Sequence, residues 1–144
     1  RSSDLNGNPR EVISRDNLHT VYLWGYGDRY PIAEIKNATL AQVEAAVSSI
    51  FGMTSSALAQ NSLPDAAKLK ALRKHTSLSK AQVTVFTHLP LIGVSSVTDP
   101  TGKTLYYEYD ELGRLKRNYY YENNIMQESE KRVLQEYDYH YRNQ

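Results

Sequence analysis

The sequence predicts an α+β fold: an antiparallel, meander-like β-sheet built from hairpins, with a helical insertion packed on one face. Three observations carry this. Alternating aromatic and β-branched runs recur at both ends of the chain, bounded by turns rich in Gly, Pro, Asn and Asp. Between them, residues 39–76 contain no tyrosine, are rich in Ala, Leu and Ser, and space their apolar residues as a helix does. Near the C-terminus, Leu105-Tyr-Tyr-Glu-Tyr-Asp-Glu-Leu-Gly-Arg-Leu115 reads as a strand, a tight turn and a returning strand. At 144 residues the chain is one domain, long enough for a real core. It divides into hairpins over 1–36, the helical insertion over 37–80 and further hairpins over 81–144.

Taken in order, Asp4 to Pro9 is a turn cluster, and 10–15 is a short strand carrying Val12 and Ile13. Asp16 and Asn17 turn the chain into a strand over 20–26, which places Tyr22, Trp24 and Tyr26 on one face. Gly27 and Asp28 turn it back into 30–36, where Pro31 implies an edge or an irregular position because it has no N–H for a ladder. Thr39 and Gln42 form a capping box for a helix bearing Leu40, Val43, Ala46, Val47 and Ile50, stopped by Gly52. Residues 55–61 form a short helix. Pro64, in the first turn, and Asp65 start a third that presents Ala66, Leu69 and Leu72. Strands resume over 82–88 and 94–97. Asp99-Pro100-Thr101-Gly102 makes a hairpin turn, and the last strand runs over 133–141. The sheet should hold roughly six to eight strands. Trp24, Ile32, Ile35, Val43, Val47, Leu69, Leu72, Val83, Val85 and Tyr109 are the expected core.

Within the C-terminal hairpin, Asp110 can accept from backbone N–H groups ahead of it, and Gly113 tolerates a left-handed conformation. Tyr107, Tyr109, Asp110, Gly113, Arg114 and Leu115 complete the pattern Tyr-x-Tyr-Asp-x-x-Gly-Arg-Leu, which resembles the tyrosine–aspartate (YD) repeat of the rearrangement-hotspot (RHS) and teneurin-like families. Asp4-x-x-Gly7-Asn8-Pro9 looks like a degenerate repeat ending. Residues 20–29 also overlay 105–114, matching Tyr22 with Tyr107, Trp24 with Tyr109 and Arg29 with Arg114. Pro90-Leu91-Ile92-Gly93, Tyr30-Pro31-Ile32 and the ending Tyr137-Asp138-Tyr139-His140-Tyr141 resemble the C-terminal segment of long bacterial proteins of this kind.

Such a motif identifies a structural unit and no reaction. The resemblance implies a non-catalytic structural or interaction segment of a large surface or secreted bacterial protein. Its partners would be neighbouring repeats and a cell-surface glycan or protein, with self-association through open sheet edges. The alternative is a carbohydrate- or peptide-binding module using two aromatic stripes, Tyr22, Trp24 and Tyr26 on one strand and Tyr137, Tyr139 and Tyr141 on the last. In RHS-type proteins any toxic activity lies in a variable domain beyond the repeats, and nothing here resembles a nuclease, deaminase or protease motif.

Composition narrows the choice further. A formal charge of +1 supplies no long-range field toward nucleic acid or an anionic membrane, and no apolar run spans a bilayer. The absence of cysteine removes disulfides and thiolate metal sites. His19, His75, His88 and His140 stand at no metal-binding spacing, so neither a metal nor another cofactor is expected. Glu108, Asp110 and Glu111 form an acidic knot, but turn chemistry and strand alternation account for it without catalysis. Asn37-Ala38-Thr39 matches a glycosylation sequon that helix capping explains better.

Overall fold

A computed structural model describes residues 2–4 and 7–139. Among these, nine strands form one antiparallel sheet in strict chain order: β1 (Ser2–Ser3), β2 (Pro9–Ile13), β3 (His19–Gly25), β4 (Tyr30–Lys36), β5 (Gln82–Leu89), β6 (Gly93–Thr98), β7 (Thr104–Tyr109), β8 (Leu115–Tyr121) and β9 (Lys131–Glu136). This is an open meander. The strand beyond the expected number is β1, whose two residues are too few to leave a pattern in the sequence.

Three helices interrupt the meander between β4 and β5: α1 (Leu40–Phe51), α2 (Ser55–Ala59) and α3 (Ala66–Ala71). Thr39 and Gln42 complete the predicted capping box on α1, and Gly52 closes it at φ 69°, its N–H donating to Ser48. Asp65 caps α3 by accepting from the N–H groups of Ala67 and Lys68. Pro64 therefore precedes the cap instead of entering the first turn. It is buried, and a Cβ on Gly25 would stand 2.8 Å from its ring.

The helices cover one end of the sheet. Val21 opposes Ile35, Leu23 opposes Ala33, and Ala33 and Ile35 oppose Val85 and Val83, so these residues share a face. Val43, Ala46, Val47, Leu58, Leu69, Leu72 and Leu78 close over it from the insertion. A register shift between Leu23 and Trp24 turns both Ile32 and Ala33 into this core and gives Pro31 its irregular place within an interior strand. Glu11 ties the layers together, accepting from the Leu40 N–H at the start of α1 and pairing with His19 at 2.9 Å.

Two expected core residues lie elsewhere. Trp24 and Tyr109 are only half-buried, because alternation turns Trp24 away from the helices and Tyr109 ends a strand beyond their reach. Tyr26 is the converse case. Beyond the end of β3, at φ 55°, it leaves the Tyr22–Trp24 face and joins the core at 7% exposure. The last strand also stops at Glu136, so Tyr137 and Tyr139 do not line a strand face; Tyr141 and His140 lie outside the described residues.

Candidate functional site

The Asp110 turn is built as its residue types dictate. The Asp110 and Arg114 main chains close the hairpin, Asp110 N–H donating to Arg114 O at 2.8 Å, and Gly113 at φ 77° donates to Asp110 O at 3.0 Å. Asp110 Oδ1 accepts from the N–H groups of Leu112 and Arg114, both at 2.9 Å, and Oδ2 accepts from Arg114 Nε at 2.8 Å. These donors, the Arg114 amide foremost, hold the Asp110 carboxyl below the usual carboxylate range.

The same turn recurs. Asp99 accepts from the N–H groups of Thr101 and Lys103 and from the Thr101 hydroxyl, with Gly102 at φ 91°. Its carboxyl is also lowered, first by the Thr101 hydroxyl. Asp4 accepts from Asn8 N–H at 2.9 Å, with Gly7 at φ 82°. A fourth copy was hidden in the sequence. Ser14 takes the place of Asp and Asn17, at φ 62°, that of Gly, with Leu18 N–H donating to Ser14 Oγ.

A second repeating element links neighbouring strands. At the end of β3, Trp24 Nε1 donates to Pro9 O at the start of β2, 2.9 Å away. At the end of β5, His88 Nε2 donates to Pro31 O near the start of β4 at 2.6 Å. At the end of β7, the Tyr109 hydroxyl donates to Val94 O near the start of β6 at 2.8 Å. Just beyond β9, the Tyr139 hydroxyl donates to Leu115 O at the start of β8 at 2.7 Å. Each odd-numbered strand from β3 onward thus carries, at or just beyond its end, a flat ring whose polar tip clamps the strand before it. Arg114 joins the two devices, since its guanidinium also lies over the Tyr139 ring at 4.3 Å.

Five of the six motif positions, Tyr109, Asp110, Gly113, Arg114 and Leu115, therefore belong to one network. Tyr107 stays half-buried on the opposite side of β7 from Tyr106. Among the stripe residues, Tyr22 is half-buried beside Trp24. Tyr137 is exposed, its N–H donating to Lys116 O and its hydroxyl to Gln135.

The acidic knot does not converge. Glu108 pairs with Arg117 at 2.8 Å, Arg117 also reaches Glu136 at 3.1 Å, Asp110 is held by its turn, and Glu111 points to solvent. Among the described residues no group of three or more His, Asp or Glu side chains is arranged to hold a metal ion, and no helix is long and apolar enough to cross a membrane. No family model, curated protein or solved structure matches this chain.

Sequence reasoning missed an aromatic cluster on the helix-bearing side of β7 and β8. Tyr106 opposes Tyr119, and the rings stack with centroids 5.4 Å apart; Tyr121 stands edge-on to both. Strand alternation sets Tyr106 on the opposite face of its strand from Tyr107 and says nothing of which rings face it across the hairpin. Only the register of β7 on β8 brings them together.

Proposed function

We propose that this chain is a non-catalytic scaffold and interaction segment of a larger surface or secreted YD-repeat protein. The observation that supports this most directly is the ring clamp repeated on β3, β5, β7 and β9. Successive hairpins reuse one joint, with Trp, His or Tyr filling the same role, as expected where neighbouring units are copies that stabilise one another. Neighbouring hairpins of the parent protein are the principal partners in this reading, and a cell-surface glycan or protein is the external one.

Antibodies raised against the folded chain test it. They should label the outside of intact source cells or their medium, and recognise a polypeptide much longer than 144 residues. Recognition confined to the cell interior would overturn the reading.

A further inference from the structure

The helical layer stops short of the C-terminal half of the sheet, and a cavity opens along its edge. Its volume is about 200 Å³, between Lys70 of α3 and the Tyr106–Tyr121 pair, with Thr104 and Gly102 on the sheet side and Asn124 and Met126 at the rim. Three features define its chemistry. Tyr106 and Tyr121 meet edge-to-face at 75° with centroids 5.6 Å apart, and the Tyr106 hydroxyl reaches Met126 Sδ at 3.8 Å, so a ligand would meet a preformed aromatic corner. Burial holds the Tyr106 hydroxyl above the usual tyrosine range.

The electrostatics are one-sided. Lys70 lines the cavity, no Asp or Glu does, and Lys70 has no carboxylate partner among the described residues. The Arg73 guanidinium stands about 3.0 Å from where a Gly102 Cβ would lie. Among the described residues Arg73 bonds to the carbonyls of Pro100 and Thr101 and makes no ion pair. The face of one tyrosine ring suits the C–H face of a pyranose, the amide of Asn124 suits its hydroxyls, and Lys70 calls for an anion.

We propose that this cavity is a subsite for a hexuronate, as the free sugar acid or as the end of a glycan, with its apolar ring face on one tyrosine ring and its carboxylate toward Lys70. The site lies apart from both aromatic stripes, and it stands or falls separately from the scaffold reading.

The test is titration of the whole chain with methyl β-D-glucuronide, followed by amide NMR shifts at Gly102, Tyr106 and Tyr121. Methyl β-D-glucopyranoside and acetate serve as controls. Saturable shifts should appear with the glucuronide. They should weaken about tenfold for the neutral glucoside and in Lys70→Gln, the loss expected for a charge-assisted contact. Met126→Trp should block the cavity while cooperative unfolding is retained, because Met126 is 68% exposed. Absence of saturable shifts, equal shifts with acetate, or undiminished binding in Lys70→Gln would each overturn the proposal. A long glucuronan binding more tightly than the monosaccharide would identify a glycan as the source, and equal affinity would identify the free sugar acid.

Discussion

Gly113 and Asp110 show how little side-chain chemistry a reusable turn requires. A Cβ at Gly113 would meet nothing within 4 Å, so its only obligation is the left-handed backbone at φ 77°. Gly113→Val should therefore lower stability by about 1–2 kcal/mol through strain alone, read by denaturant unfolding, and Gly113→Asn by less. Asp110 and Asp99 contribute to the acid pH dependence, together with Glu11 and Asp16, whose carboxyls are lowered by His19 and Ser14. Each carboxyl is lowered in the folded state, so the unfolded chain binds more protons wherever the two states differ. The stability they contribute is present above the unfolded value of about 4 and is lost as pH falls through the folded values. Melting temperature should fall across that acidic window, and Asp110→Asn should flatten the slope. Unchanged slope in the variant would assign the dependence to other groups.

At the level of the element, the clamp explains a glycine that turn chemistry does not. A Cβ on Gly93 would sit 2.5 Å from the Tyr109 hydroxyl and 2.9 Å from its ring, so β6 must begin with a residue that has no side chain if the ring is to reach Val94 O. Tyr109→Phe should cost about 1 kcal/mol, the net worth of one hydrogen bond, whereas Gly93→Ala should cost more because the whole ring must move. Equal effects in equilibrium unfolding would show that the ring has room to shift. The elements were largely legible. Strand alternation, Thr39 with Gln42, and Asp110 with Gly113 each work through neighbours in sequence. Long-range geometry was not: the register shift at Leu23 and the positive φ of Tyr26 arise from pairing and packing across strands, and with them Tyr26 leaves the face of Tyr22 and Trp24 for the core. The clamp was equally hidden, since Trp24, His88 and Tyr139 share a geometry but no residue type.

The molecule as a whole is unevenly consolidated. Its apolar core lies where the insertion covers β3, β4 and β5, whereas the same face farther along presents paired hydroxyls, such as Thr98 with Thr104 at 2.8 Å, and then the tyrosines. Leu72→Ala, at a fully buried position, should cost about 2–5 kcal/mol, while Leu134→Ala on β9, 58% exposed, should change stability by about 0.5 kcal/mol or less. Hydrogen exchange should accordingly be slowest in β3–β5 and faster toward β9; uniform protection would contradict this gradient. The strict chain order of the strands also bears on how the molecule is made. Every strand pairs with its immediate neighbours along the chain, so each hairpin can zip from its own turn with little loop entropy lost. One pairing is different: joining Lys36 to Gln82 must close a loop containing the entire insertion. That single closure, assisted by the apolar faces of α1 and α3, is where an otherwise local folding reaction has to search.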